Sequence, residues 1–312
     1  MMDFDFSRAV RISLEYRQIT GLRGHPSPFV SVYRHATDMD YYAAYFLAVH
    51  GLTHLDLPHA DSLTPSVAAN LSPQIRRAVV LDFTGKQKVL EPVLVRDSTD
   101  PLDAQTCLLD MKVVKDGEFL WLLIQQLAIR VDDLEEVWKG IPADEDLSDW
   151  FVLFRTDWIF RFNRYGNSYN NPALEGWAAF LCHPYIDPEA LQWLADRGIT
   201  ALGHDLPSFE NPLYYAIGGD VHPVVRQARQ IAMERTPHFE QKVFQSLWLR
   251  QAGAEEGGQR CYLKNLNLHP LAEAMEKPKR RVIAGRLAVV PVPVLQDREG
   301  VACEVFFAPD EA

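Results

Sequence analysis

Cysteine is scarce in this sequence, which holds four cysteines in 312 residues. They are Cys107, Cys182, Cys261 and Cys303, and no two of them form a C-x-x-C pair. This spacing excludes the common structural zinc sites, which need closely paired thiolates. We therefore expect reduced, packed thiols, as in a cytoplasmic protein.

Positive charge is also in short supply. Lys and Arg number 31 against 42 Asp and Glu, which gives a formal net charge of -11 and a pI of about 5.4. A field of this sign repels nucleic-acid phosphates and anionic lipid head groups. The composition thus predicts no nucleic-acid partner and no membrane partner.

Long hydrophobic runs are missing as well. The most apolar stretch, "EFLWLLIQQLAI" at 118–129, contains Gln125 and Gln126 and is too short to span a bilayer. The N-terminus, "MMDFDFSRAVRISLEY", has acidic residues where an export signal needs basic residues before an apolar core. We expect no export signal and a cytoplasmic location.

The glycine-rich phosphate-binding motifs are absent. Neither G-x-G-x-x-G nor G-x-x-x-x-G-K-[ST] occurs, so dinucleotide and P-loop chemistry have no support in the sequence. The chain is 47% hydrophobic and 23% charged, which is ordinary for a globular protein able to bury a sizeable core.

Strands are predicted where apolar, β-branched residues cluster. The predicted strands are 75–85, 150–158, 280–295 and 302–309. Because proline cannot donate a ladder hydrogen bond, Pro291 and Pro293 predict that the third of these strands lies at a sheet edge.

A helix is predicted at 187–198, between recognisable start and stop signals. Asp187 is a typical N-cap, Pro188 fits the first turn, and Gly198 is a typical stop. A strand, "ITALGHD", follows at once. Strands at both ends of the chain, with helices mainly between them, predict a mixed α/β fold.

Ionisable residues are concentrated in the apolar stretch "YFLAVHGLTHLDLPHADS" at 45–62. His50, His54 and Asp56 have the spacing H-x3-H-x-D, and residues two or four apart in an extended segment share a face. Two imidazoles and a carboxylate suit zinc, manganese or iron with positions left for water and substrate. A buried His-Asp hydrogen bond within a core explains the same pattern, so the spacing leaves both interpretations open.

The same stretch resembles the signature H-x-G-T-H-x-D-x-P-x-H of the cyclase family of metal-dependent hydrolases, which includes bacterial kynurenine formamidase and isatin hydrolase. His50, Thr53, His54, Asp56 and Pro58 match it in register.

Further segments resemble the family in the same order along the chain. "RRAVVLDFTG" is similar to its central strand and "FVLFRTDW" to its "VLIRTGW" strand. "GHDLPSFE" is similar to G-x-D-x-x-S-x-D, and "YLKNL" to the final "ENL". The resemblance extends from about residue 8 to 290 and predicts one cyclase-like domain over 1–312, with insertions near 86–125 and 213–258.

The resemblance implies a mixed-sheet swivelling β/β/α fold, usually dimeric or larger. It implies that His50, His54 and Asp56 hold a divalent metal, Zn or Mn, and that the reactions open amides, lactones or cyclic amides of small molecules. It further implies a homodimer or higher homo-oligomer.

The sequence departs from the family pattern at chemically important positions. Leu52 replaces the motif Gly, and Ala60 replaces the third motif His, with His59 one position earlier. A one-residue offset turns a strand side chain to the opposite face, so His59 can act only if the chain has left extended structure after Pro58. His238, at a plausible helix start, is the other candidate for proton transfer.

Lys264 replaces the family's closing Glu. Because an ammonium cannot ligate a cation, we predict one metal per chain rather than two. Lys264 is then a candidate to stabilise an oxyanion or to balance Asp56. The alternative is that Lys264 ends a surface strand and points into water.

Aromatic residues are candidates for a substrate pocket, since such pockets are mostly apolar. Phe29, Tyr33 and Trp158 are the predicted substrate-binding residues. Asp205, at the end of a predicted strand, is expected to hold a loop.

Three functions remain open from the sequence. The first is a single-metal hydrolase of a cyclic amide, lactone or related carbonyl compound. The second is a non-hydrolytic cyclase, dehydratase or isomerase of a biosynthetic pathway that uses the same metal. The third is an inactive fold kept for binding, which the residues Ala60 and Lys264 favour.

Overall fold

A computed structural model provides the structure of the chain. It describes residues 4–13, 29–34, 41–46, 53–56, 73–96, 107–110, 112–141, 145–158, 181, 183–206, 208–216, 221–236, 239, 261–276, 280–296 and 300–310.

The described residues form strands, α-helices and three short 3-10 helices. The strands are β1 (Val10–Arg11), β2 (Phe29–Arg34), β3 (Tyr41–Phe46), β4 (His54–Asp56), β5 (Gln74–Asp82), β6 (Leu94–Arg96), β7 (Cys107–Leu109), β8 (Ala128–Ile129), β9 (Phe151–Arg155), β10 (Tyr185–Ile186), β11 (Ala201–His204), β12 (Cys261–Lys264), β13 (Val282–Gln296) and β14 (Gly300–Pro309). The α-helices are α1 (Gly117–Gln125), α2 (Val131–Trp138), α3 (Pro188–Asp196), α4 (Pro223–Arg235) and α5 (Ala272–Glu276). The 3-10 helices are Thr84–Val93, Pro212–Tyr215 and His269–Leu271.

The main sheet is mixed, with strand order β1-β14-β13-β5-β9-β11-β12-β4. The strands β5, β9, β11 and β12 are parallel to their neighbours within this group, whereas β13, β14 and β4 join antiparallel. The first residues of β14 also pair with β4, so the sheet curls and closes on itself. Three two-stranded sheets, β2-β3, β6-β7 and β8-β10, accompany it.

Alternation along the strands sends side chains to two separate cores. In β9, Phe151 and Leu153 belong to the core inside the curled sheet, whereas Val152 and Phe154 belong to the core outside it. Helices α1 to α4 pack on the outer core, where Leu120 and Leu191 are buried. This period of two fixes which side chains at the strand ends face inward.

The helix and strand predicted from 187 onwards are confirmed. The Asp187 side chain accepts a hydrogen bond from the Glu189 amide at the start of α3. Gly198 has φ +74°, a left-handed conformation that stops the helix and leads into β11.

The prediction that the prolines confine their strand to a sheet edge is wrong. Strand β13 lies between β5 and β14. Its pairing with β5 ends at Val289 opposite Gln74, before Pro291, so the prolines remove no hydrogen bond to β5. Pro291 still pairs with Cys303 of β14.

Two of the four cysteines are described as buried, free thiols. Burial raises the pKa of Cys261 to about 11 and that of Cys303 to about 12, so both are packed and unreactive. Cys107 lies in β7, and Cys182 is outside the described residues. In the part of the chain that the structure describes, no helix is long and apolar enough to cross a membrane.

Candidate functional site

Polar and ionisable residues of the main sheet lie together at one end of it. The parallel strands β9, β11 and β12 end here, and β4 begins here because it runs antiparallel to β12. In α/β proteins this carboxyl end of parallel strands is where ligands commonly bind.

Two of the predicted metal ligands begin and end strand β4. His54 and Asp56 are two positions apart, and Leu55 between them is buried in the inner core. The backbone therefore has the alternation that the sequence predicted for these positions. The structure describes the backbone of His54 and Asp56. His50, His59 and His238 lie outside the described residues.

The register of β4 identifies the cross-strand neighbours of these positions. Lys264 pairs with His54, and Tyr262 pairs with Asp56. Directly opposed residues of an antiparallel pair share a face of the sheet, with Cβ atoms roughly 4.5 to 5.5 Å apart. Among the side chains that the structure describes, no group of three or more His, Cys, Asp or Glu is arranged to hold a metal ion.

Lys264 lies against an aromatic ring. Its Nζ is 5.1 Å from the centroid of the Tyr262 ring, a cation-π distance, and the side chain is only partly exposed. The Tyr262 hydroxyl is hydrogen-bonded to Nε2 of His204. The amide of Leu206 donates to Nδ1 of the same imidazole, with N···N 3.0 Å, so the neutral ring carries its hydrogen on Nε2 and donates it to Tyr262.

Asp205 holds the turn after β9, as the sequence predicted. Its carboxylate accepts from the Thr156 amide at 3.0 Å, the Thr156 hydroxyl at 2.7 Å and the Asp157 amide at 2.7 Å. Burial, and next the nearby charge of Asp157, raise the pKa of Asp205 to about 7, although these donors act in the opposite direction.

A buried ion-pair network lies beside this turn. The Arg155 guanidinium donates to both carboxylate oxygens of Asp157, at 2.9 and 2.6 Å, and its Nη1 is 3.6 Å from Oδ2 of Asp82. Its side chain is 2% exposed. His269 adds a contact from Nδ1 to Oδ2 of Asp157 at 3.3 Å. A planar guanidinium suits this two-point pairing better than an ammonium.

The network shifts the pKa values of its members. Burial acts to raise the pKa of Asp157, but hydrogen bonds from His269 and Arg155 outweigh it and lower the value. Burial likewise acts to lower the pKa of Arg155, but the hydrogen bond and charge of Asp157 raise it overall. Both groups therefore stay charged in the folded protein.

Asp205 gives the stability of the fold a distinct pH dependence. Because its folded-state pKa of about 7 exceeds the ordinary value of 3.8, the folded chain holds this proton more tightly than the unfolded chain. Its stabilisation is present below about pH 4 and is lost as the pH rises through about 7, a loss on the order of 4 kcal/mol. His183, whose pKa burial lowers to about 4, acts in the opposite direction over part of this range.

We expect Asp205→Asn to remove the loss of stability that accompanies rising pH. In urea unfolding from pH 4.5 to 8, the variant should be less stable than the wild type at pH 5, because an amide nitrogen in place of one carboxylate oxygen cannot accept from the Thr156 or Asp157 amide. The variant should become more stable relative to the wild type as the pH rises. The difference between the two proteins cancels the contribution of His183. A constant difference across the range would show that Asp205 is already ionised at pH 5.

Comparison with known proteins identifies the family. The family model described as "Putative cyclase" matches residues 10–211, well over half of the 312 residues. The chain belongs to the cyclase family. No curated protein sequence matches the chain.

Solved structures share the cyclase fold with this chain at low sequence identity. Isatin hydrolase A from Ralstonia solanacearum is 16% identical, covers 96% of this chain and 91% of its own, and has a TM-score of 0.52. A structure described as a novel cyclase is 12% identical, covers 96% and 86%, and has a TM-score of 0.54. An isatin hydrolase bound to the product analogue thioisatinate is 14% identical, covers 97% and 92%, and has a TM-score of 0.50. The predicted family and fold class are confirmed.

Two residues at the strand ends adopt left-handed backbone conformations. Asp157 has φ +59° and Asn265 has φ +55°, which costs roughly 1 to 3 kcal/mol for a residue other than glycine. The "VLIRTGW" segment to which the sequence is similar has Gly where this chain has Asp157. The carboxylate thus adds the contacts to Arg155 and His269 at a position where glycine would be relaxed.

The predicted substrate-binding residues lie in different parts of the structure. The Trp158 ring is fully buried in the outer core and packs edge-on against His183, with centroids 6.2 Å apart. Phe29 and Tyr33 lie on β2, whose backbone pairs with β3. Their role in binding stays a prediction.

Sequence reasoning placed His204 at a strand end, where functional side chains are common, but missed Tyr262, Arg155 and His269. A signal was present for Arg155, because a charged residue that ends the apolar run "FVLFR" requires a buried counter-ion. Tyr262 and Lys264 are two positions apart in a strand, so their shared face was also predictable. Nothing local in the sequence indicates that His204 reaches Tyr262, because the two lie on different strands.

Proposed function

We propose that this chain is a metal-dependent hydrolase that opens a small cyclic amide, lactone or amide-type carbonyl compound. Membership of the cyclase family supports the proposal. The observation that carries it is the placement of His54 and Asp56 at alternating positions of β4, opposite Lys264 and Tyr262. Solved structures of the same fold include isatin hydrolases.

The proposed metal is one divalent ion, Zn or Mn, held by His50, His54 and Asp56. Two imidazoles and a carboxylate are a donor set that fits either ion. When bound, such an ion polarises a carbonyl and lowers the pKa of water, which is the chemistry that hydrolysis at neutral pH requires.

The remaining roles are proposed for other side chains. Lys264 supplies a positive charge beside His54, where negative charge develops on the substrate oxygen. His59 or His238 carries the proton between water and the leaving group, since an imidazole titrates near neutral pH. Phe29 and Tyr33 are the proposed apolar wall residues of the pocket, whereas Trp158, fully buried in the outer core, supports the fold.

A single metal per chain is proposed because of Lys264. An ammonium has three donors and no acceptor, so it cannot ligate a second ion. Its position opposite His54 also puts a positive charge where a second cation would be repelled. We further propose one domain over 1–312, with insertions near 86–125 and 213–258, a cytoplasmic location and a homodimer or larger homo-oligomer.

Elemental analysis combined with a substrate screen tests the proposed function. Protein purified without added metal should contain about one equivalent of Zn or Mn per chain. With metal present, it should hydrolyse at least one member of a panel of lactones, cyclic amides and formamides. A metal-loaded protein that binds such compounds without hydrolysing them would favour a non-hydrolytic cyclase or dehydratase. A metal-free protein would favour the inactive binding fold.

Replacing Lys264 tests its proposed charge. Lys264→Met should lower kcat on the identified substrate by on the order of 10²-fold, the usual effect of losing one oxyanion donor, with metal content unchanged. Lys139→Met, at an exposed position after α2, is the matched control and should keep full activity. Full activity in Lys264→Met would place this ammonium outside the reaction.

A further inference from the structure

Lys264 requires something to hold its ammonium in one place. A lysine side chain has four rotatable bonds, so its flexible ammonium makes a poor oxyanion donor unless other groups restrict it. The ring of Tyr262 is one such group, because Nζ lies 5.1 Å from its centroid. A cation over an aromatic ring is attracted by the negative charge of the ring face, and more strongly where water is excluded.

The Tyr262 ring is itself fixed. It is 1% exposed and stacks on Phe209, with centroids 5.8 Å apart and planes 21° apart. His204 also contacts this ring, with centroids 4.8 Å apart, and is hydrogen-bonded to its hydroxyl. The ring therefore has one position rather than several.

His204 can hold the hydroxyl in one way only. Leu206 donates its amide hydrogen to Nδ1, so that nitrogen has a lone pair and the hydrogen is on Nε2. Nε2 consequently donates to the Tyr262 oxygen. A short contact chain thus runs from the Leu206 backbone, through His204 and Tyr262, to the Lys264 ammonium.

We propose that Tyr262 and His204 are positioning residues that hold the Lys264 ammonium beside the His54 position, where it meets the negatively charged oxygen of the substrate. Tyr262 acts through Lys264 and does not itself touch the reacting atoms. The catalytic part of this inference rests on the proposed hydrolase function. The position of the Lys264 ammonium over the Tyr262 ring, called the ammonium seat below, does not depend on any reaction.

The seat is measured first, without substrate. Reductive methylation with ¹³C-formaldehyde labels lysines as dimethyl-lysines that keep their charge, and Lys264→Arg identifies the Lys264 signal by its loss. Because the ammonium lies over the ring, this signal should be shifted upfield from those of exposed lysines. Tyr262→Phe keeps the ring but loses the hydrogen bond from His204, so it should reduce the shift to the same extent as His204→Leu, whereas Tyr262→Leu should abolish it.

His204 is tested in the same spectrum. His204→Leu removes the donor to Tyr262 and should reduce the shift. His204→Gln places an amide N–H near the former Nε2 and should restore it. These variants leave the Tyr262 ring in place, so they remain informative if Tyr262→Leu does not fold. An unchanged Lys264 signal in Tyr262→Leu, or in His204→Leu if the former does not fold, would overturn the proposed seat.

A double-mutant cycle then tests the catalytic consequence. Tyr262→Leu should lower kcat about tenfold with little change in KM, as expected for losing 1.4 kcal/mol of positioning. In the Lys264→Met background the same substitution should have no further effect, because there is no ammonium left to position. A tenfold loss in both backgrounds would show that Tyr262 acts through general packing instead.

The two experiments separate this inference from the proposed function. If the ring shift behaves as expected but no carbonyl compound is hydrolysed, the proposed function fails and the ammonium seat stands. If hydrolysis occurs and the shift is absent, the proposed function stands and the positioning role of Tyr262 fails.

Discussion

Replacement of His54 by alanine is expected to abolish metal binding and to lower turnover by on the order of 10⁴-fold. His54 begins β4, and its removal would leave His50 and Asp56 as the proposed ligands. Loss of an outer-shell partner typically weakens metal binding by about 10- to 100-fold, and loss of a direct ligand exceeds this. Metal content after gel filtration and kcat on the screened substrate are the two measurements.

His222 provides the matched control for this experiment. It caps α4 through its Nδ1, which accepts from the Val224 amide at 3.3 Å, and it is not part of the predicted motif. His222→Ala should keep the metal and the activity while losing about 1 kcal/mol of stability. A His54→Ala protein that retains a full equivalent of metal would remove His54 from the ligand set.

Replacement of Arg155 by methionine is expected to destabilise the fold by about 3 to 5 kcal/mol. The substitution keeps most of the side-chain volume but leaves Asp157 and Asp82 without the cation that they share. Because the guanidinium is 2% exposed, water cannot replace it. Denaturant midpoints at pH 7 measure the effect.

A surface arginine is the control that separates the effect of burial on stability from the effect of losing a positive charge. Arg281 pairs with Glu136 at 2.5 Å, but the two side chains are 44% and 64% exposed. Arg281→Met should therefore change stability by about 1 kcal/mol or less. Equal effects for the two substitutions would show that the Arg155 network contributes no more than a solvated ion pair.

The strands and helices that could be predicted are those whose signals are local. The segment around β5 is apolar and β-branched, and the helix at 187–198 has its own start and stop residues. The error at Pro291 has a different origin. A proline excludes a hydrogen bond on one side of a strand, and whether a partner is present there depends on where β5 ends.

The candidate site could be predicted in part for the same reason. The spacing of His54 and Asp56 is a local feature, and the backbone of β4 has the predicted alternation. The network of Arg155 with Asp82 and His269 joins residues far apart in the sequence. One sequence indicates that Arg155 needs a counter-ion but not which carboxylate supplies it.

The pairing of β4 with β14 has a consequence for how the site is made in the cell. Leu55 pairs with Val301, so the strand that carries the proposed ligands is completed by a segment far along the chain from it. Contacts of such long sequence separation form late, because closing the intervening loop costs entropy first. A nascent chain still lacking β14 has one edge of β4 open. A competent site is therefore expected only once β14 has been synthesised and has paired with β4, and a chain truncated before residue 300 should lack such a site.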